Sequence, residues 1–383
     1  MRYDFDTVYD RRGTNSVKYM AHPRYPDKRL IPMWVADMDF RTAPEIINSL
    51  CETAKSGIFG YTDIDEEYFD LLIEWNKKRF GFNIKREWIT PCEGVMSGIS
   101  AALRSLTKEN DAVLILQPVY FPFANVIVNN KRKLTVSELK NINGRYFIDY
   151  NDLEKKITEN DVKLMLFCSP HNPVGRVWDR EEIIEVARIC LKYNVKMISD
   201  EIHSDLVYKR HFPTAFLSDE IQENTIALTS VTKTFNLAGI QGANLIIPNE
   251  ELRNTVEQEL RTECLGGMGI MSFNSFKSAY KYGEAWLDEA ILYLRKNIDF
   301  VLESFKGTKI KPVNPEGTYL VWLDCRELGF DDKQLEKFFL EECGIWMNNG
   351  FIFGEGGSGF MRMNVACPKA TLEKAISNIK EKI

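Results

Sequence analysis

The stretch KLMLFCSPHNPVGRVWDREEIIEVARICLKYNVKMISDEIH, residues 163–203, decides the fold. It opens on an apolar run, KLMLFCSP (163–170), and closes on a second, KMISDEI (196–202). Between them DREEIIEVARICLKYN (179–194) places Ile183, Ile184, Ala187, Ile189, Cys190 and Leu191 at helical spacing, with acids in its first turn where the helix dipole favours them. The segment therefore reads as strand, helix, strand. Similar β-rich runs stand at VLILQP (113–118), TIALTS (225–230) and ANLIIP (243–248). Strands alternating with helices predict an α/β fold with a parallel sheet covered on both faces.

Beyond this core, AWLDEAILYLRKNIDFVLESF (285–305) predicts an amphipathic helix of unusual length. TYLVWLD and GFMRMNVA then read as strands, and DDKQLEKFFLEE and KATLEKAISNIKEKI as surface helices. The expected organisation is a large domain over 46–280 and a smaller α+β domain built from both termini, 1–45 and 281–383. The 383 residues suit two domains at roughly 150 residues each. Hydrophobic residues make up 44% and charged ones 27%, an ordinary globular balance that excludes fibrous and disordered classes. With 49 basic against 55 acidic residues the net charge is −6, which offers a nucleic acid no global attraction. The uncharged stretch Ala112 to Asn130 is broken by Gln117, Pro118, Pro122 and asparagines, so no membrane span is expected. The acidic start MRYDFDTVYDRRG lacks the basic-then-apolar pattern of a signal peptide, and a cytoplasmic protein is expected. The eight cysteines and four histidines show neither CxxC nor zinc-ligand spacing, so no metal is expected.

GEGGSG (354–359) satisfies the GxGxxG dinucleotide pattern, but it precedes a strand near the C-terminus instead of following one into a helix, and reads as a loop. The informative set lies elsewhere. Asn172 follows one buried strand, Asp200 ends the next, and Lys233 in SVTKTFNLAG (230–239) lies just past a third. Each has a plain reading taken alone: a turn, a helix cap, a surface lysine. Together they place an amide, a carboxylate and an amine at one edge of a parallel sheet, where such folds bind ligands. Pyridoxal phosphate needs this set: a lysine for the Schiff base, a carboxylate that keeps the pyridine nitrogen protonated, and a donor to the phenolic oxygen. EGVMSGISAALRSL (93–106) adds small residues opening a helix, whose free N–H groups suit a phosphate, and the Ser230 and Thr232 hydroxyls bracket the lysine.

With those residues in hand, the chain resembles a fold-type I pyridoxal-phosphate enzyme of the class I/II aminotransferase superfamily, and closely its MalY/PatB-type cystathionine β-lyase (C–S lyase) branch. DRRGTNSVKY (10–19), IPMWVADMDF (31–40), GIFGYT (57–62), QPVYFPF (117–123), SPHNPVGRVW (169–178), SDEIHSDL (199–206), TKTFNLAGIQGAN (232–244) and MRMNVACP (361–368) carry the likeness over nearly the whole length. The resemblance implies that Lys233 is the Schiff-base and catalytic lysine, Asp200 the partner of the pyridine nitrogen, Asn172 the O3′ donor and Tyr120 the ring-stacking group. It further implies that Val95 and Met96 give phosphate-binding amides, that Tyr61 reaches the phosphate of a partner subunit in a homodimer, and that Arg362 grips the substrate carboxylate. Ala36, Tyr120 and Asn172 are also expected at the substrate. Trp34 and Asp37 are expected to line the entrance or hold the N-terminal arm. Two departures from ordinary aminotransferases, His203 three residues after Asp200 where they carry tyrosine and Gln241 eight after Lys233 where they carry arginine, resemble the lyase branch. His203 is expected at the cofactor or as a structural histidine. The implied reaction is α,β-elimination from cystathionine or another S-substituted L-cysteine, giving a thiol, pyruvate and ammonia. The rivals are an aminotransferase using the same residues and a catalytically idle cofactor-binding regulator.

Overall fold

A computed structural model describes residues 2–383. Seven strands form the main sheet: β1 (Ile89–Cys92), β2 (Ala112–Gln117), β3 (Lys133–Glu138), β4 (Val162–Cys168), β5 (Lys196–Asp200), β6 (Thr225–Thr229) and β7 (Ala243–Ile246). Their spatial order is β1-β7-β6-β5-β4-β2-β3. Central strands are buried on both faces because helices cover both, which is why they read as continuous apolar runs. The helix Arg180–Lys192 starts at a capping box between Asp179 and Glu182 and buries Ile183, Val186, Ala187, Ile189 and Cys190 against the sheet.

The sheet departs from the uniformly parallel expectation at β7, which runs antiparallel to both β6 and β1. A parallel return needs a helical crossover long enough to span the sheet. The connection after β6 holds only the four-residue helix Val231–Thr234, so the chain turns back on itself. β1 and β3 are strands that the sequence reading left out.

A second sheet of four antiparallel strands, β8 (Lys311–Pro312), β9 (Leu320–Asp324), β10 (Asn348–Asn349) and β11 (Phe360–Asn364), has the order β8-β9-β11-β10. The N-terminal segment joins this part of the chain, Ile31–Pro32 pairing in parallel with Ile345–Trp346. The helix Glu284–Ser304 matches the long amphipathic segment. Its first half, including Trp286 and Leu294, packs with Phe5, Trp75 and Phe235. Its second half, Ile298 and Val301, packs with Val321, Leu323 and Met361 of the small sheet. DDKQLEKFFLEE is less of a surface helix than expected: Leu335, Phe338, Phe339 and Leu340 are buried. GEGGSG is a packing loop, since a Cβ on Gly357 would collide with the Gly350 carbonyl, and Gly354 sits at φ +126° against Gln117. No helix among the described residues is long and apolar enough to cross a membrane.

Candidate active site

The register of the sheet builds the site. Cys168 of β4 pairs with Asp200 of β5, and Asp200 with Leu228 of β6, so the residues that follow β4, end β5 and follow β6 share one edge. A cavity opens there, lined by Val95, Met96, Tyr120, Phe121, Asn172, Asp200, His203 and Lys233 from the main-sheet part of the chain and by Trp34, Val35, Ala36, Asn348 and Arg362 from the N-terminal segment and the second sheet.

Asp200 is buried and accepts one hydrogen bond, from the Ile202 amide at 3.0 Å. Burial pushes its carboxyl up to about 7, the neighbouring Glu201 adds to this, and Lys233 opposes it. A carboxylate held in that state is poised to pair with a cation entering the cavity. Lys233 Nζ donates to the Ala36 carbonyl at 2.6 Å. Burial pulls its ammonium down to about 8, against the charges of Asp37 and Asp200. Tyr120 forms one wall with its phenol pushed up by burial. The helix Val95–Leu106 begins beside the same cavity with no side-chain cap, so its first amides are free for an anion.

Arg362, on β11, reaches into the cavity from the small sheet. It is buried and donates to Asn172 Oδ1 (2.9 Å), the Trp34 carbonyl (2.9 Å) and Asn348 Oδ1 (2.6 Å), while its Nε has no partner. Burial lowers its guanidinium to about 10, which leaves it charged at neutral pH. His203 is buried with Nδ1 unpartnered and its ring edge-on to Tyr319. Burial and the nearby Lys233 and Arg362 charges hold it down near 3, so it is neutral at neutral pH.

Three expected residues, Ser230, Thr232 and Tyr61, lie outside this cavity. Ser230 donates to the Gly242 carbonyl at 2.7 Å and bonds Thr232 Oγ1 at 2.9 Å, so these hydroxyls organise the turn that presents Lys233. Tyr61 is fully exposed beside exposed Ile58 and Phe59, away from the cavity of its own chain. Gln241 is exposed as well.

The sequence reading missed the set of side chains that fixes the segment from Trp34 to Phe40. Arg362 holds the Trp34 carbonyl, and Asn364 donates to those of Val35 and Asp37, both at 2.6 Å. Lys233 and the Tyr319 hydroxyl share that of Ala36. Asn236 accepts from the Met38 amide (2.8 Å) and donates to the carbonyls of Met38 and Phe40. Lys18, 1% exposed, bonds the Asp37 carbonyl and Asp39 Oδ2 (2.9 Å), while Arg11 pairs with Asp37 and Asp39. Trp34 thus lines the entrance and Asp37 holds the arm, and the DRRGTNSVKY motif is the clamp. The signal for Asn236 was its place in NLAG, three residues after Lys233, where it takes the left-handed backbone (φ +56°) that asparagine tolerates.

A sheet-edge lysine, aspartate and asparagine facing an arginine from a second sheet define a class. Residues 28–379 match the family model for aminotransferase class I and II, and the chain belongs to that family. It is 37% identical over 383 residues to cystathionine beta-lyase PatB of Bacillus subtilis, covering 98% of this chain and 99% of that protein. Among solved structures it is similar to cystalysin of Treponema denticola, which contains a pyridoxal 5′-phosphate cofactor (TM-score 0.96, 35% identity, 100% of this chain and 98% of that one). It is also similar to the PLP-bound C–S lyase of Staphylococcus hominis complexed with L-cycloserine (TM-score 0.92, 32% identity, 100% and 98%).

Proposed function

We propose that this chain is a pyridoxal-phosphate-dependent C–S β-lyase that cleaves S-substituted L-cysteines such as cystathionine to a thiol, pyruvate and ammonia. The observation that carries the reading is the convergence of Lys233, Asp200, Asn172 and Arg362 on one cavity, in a chain whose similar proteins are a cystathionine beta-lyase and a C–S lyase. The donor set fits the cofactor: a buried carboxylate short of a cationic partner, a lysine of lowered basicity, an aromatic wall and uncapped helix amides. Asp200 would hold the pyridine nitrogen, Asn172 the phenolic oxygen with His203 nearby, Val95 and Met96 the phosphate, and Tyr120 the ring face. Bound there, the cofactor supplies a protonated ring that takes up the electron pair left when Cα loses its proton.

The protein's own groups do the rest. Arg362 holds the α-carboxylate with the fork it presents beside Asn172, so the Cα–H bond faces Lys233. Lys233 Nζ, once free and neutral, takes the Cα proton and returns one to the departing sulfur. The low basicity set by burial keeps a useful neutral fraction near neutral pH. Tyr61, exposed with Ile58 and Phe59, completes the site of a second copy in a symmetric homodimer.

The test is a side-by-side assay of the holoenzyme. Pyruvate and ammonia released in equal amounts from L-cystathionine or S-methyl-L-cysteine support the lyase. Amino transfer to a keto acid with no pyruvate release overturns it in favour of an aminotransferase. Arg362→Lys is expected to lower kcat/KM by about 10²–10³ through loss of the bidentate grip, mainly as a raised KM. Steady-state kinetics over a range of substrate concentrations check this.

A further inference from the structure

Resting on the lyase reading, we infer that the outer half of this cavity selects cysteine conjugates whose S-substituent is apolar, aromatic ones above all, over cystathionine with its charged far end. Besides Tyr120, the large aromatic side chains lining the cavity are Trp34 and Phe121, and the S-substituent is placed against them. Trp34 is held as a rigid plate: its indole stacks on Trp346 at 4.2 Å and 12°, and Nε1 donates to the Lys18 carbonyl at 3.0 Å. Its own carbonyl and that of Val35 are held by Arg362 and Asn364, and Met33 before it bonds to the backbone of Trp346 and Asn364. Phe121 stands 36% exposed at the mouth, edge-on to Phe353. Two aromatic faces left uncovered by the chain's own packing, one of them immobilised, offer area and stacking to a ligand at little entropic cost.

The charges around the cavity are already committed. Among the described residues its charged lining groups are Asp200, Lys233 and Arg362, and the Asn348 amide oxygen accepts from Arg362. Cystathionine ends in an ammonium and a second carboxylate, and taking both out of water beside Trp34 and Phe121 is unfavourable without partners. The negative face of an indole repels the carboxylate as well.

The experiment compares holoenzyme kcat/KM, by pyruvate release, for S-benzyl-L-cysteine, S-methyl-L-cysteine and L-cystathionine. It also measures, by calorimetry, binding of 2-amino-5-phenylpentanoate and 2,7-diaminosuberate, the sulfur-free analogues of the first and last. S-benzyl-L-cysteine is expected to exceed cystathionine about tenfold or more in kcat/KM, and its analogue to bind tighter by a similar factor. Trp34→Leu and, separately, Phe121→Leu are expected to cut the benzyl-to-methyl kcat/KM ratio about tenfold in at least the first case. Cystathionine handled as well as or better than the benzyl conjugate, with its analogue binding equally, overturns the inference, as does an unchanged benzyl-to-methyl ratio in both variants. If no conjugate yields pyruvate, the lyase reading fails instead, and the binding ratio still decides what the wall prefers.

Discussion

Lys233→Ala is expected to abolish turnover, lowering pyruvate release by about 10⁴-fold or more, because in the proposed function one side chain is both the covalent anchor and the base at Cα. The substitution removes the one donor from the cavity floor to the Ala36 carbonyl, which keeps its bond from Tyr319, so the segment around Trp34 stays in place. The loss is therefore chemical. Two measurements separate this from misfolding: the visible absorbance of the lysine-bound cofactor disappears while the thermal transition of the protein persists, and small primary amines added to the variant restore part of the rate. Retention of more than about one part in a hundred of the activity would remove Lys233 from the role of base.

Asp200→Asn is expected to act in opposite directions on the cofactor-free and cofactor-bound protein. In the cofactor-free chain burial holds the Asp200 carboxyl up near 7 from an ordinary value of 3.8. The folded state then keeps this proton longer than the unfolded state does, so between about pH 4 and 7 stability falls as pH rises, and the full penalty stands above 7. An asparagine carries no such penalty. Cofactor-free Asp200→Asn should therefore gain about 2 kcal/mol more over the wild type at pH 8 than at pH 5, read from denaturant unfolding at the two pH values. With pyridoxal phosphate bound the proposed role makes the carboxylate the partner of a cation, and its loss should lower kcat/KM by about 10²–10⁴ and weaken cofactor retention. A variant that is destabilised equally at both pH values would show that Asp200 is already paired in the cofactor-free chain.

The α/β class and the central strands were legible because β2, β4, β5 and β6 are apolar runs and the helix between β4 and β5 is well capped. Lys233, Asp200 and Asn172 stood out for the same reason: a polar group at the end of a buried strand is costly unless a ligand or partner meets it. β3, KLTVSE, escaped because an edge strand with mixed polarity lacks the continuous apolar signature, and β7 could not be oriented because direction depends on the length of a connection and not on the strand's own residues. The clamp on residues 34–40 was hidden for a different reason. Asn236 and Asn364 act on backbone groups about 200 and 330 positions away in the chain, and nothing local marks an asparagine that caps a distant carbonyl. IPMWVADMDF and DRRGTNSVKY were visible as motifs, but that one holds the other through buried Lys18 becomes readable only in three dimensions. Tyr61 lies exposed on the surface of a single chain, so the role proposed for it needs a second copy.

The helix Glu284–Ser304 belongs at one end to the packing around Trp75 and Phe235 and at the other to that around Val321 and Met361. Neither body can melt without exposing half of that helix, and a helix stripped of its packing along half its length has little tendency to persist in water. The two bodies are thereby coupled into one cooperative unit. The arginine contributed by one sheet and the lysine contributed by the other are then lost or kept together, and a population in which only half of the site survives is suppressed.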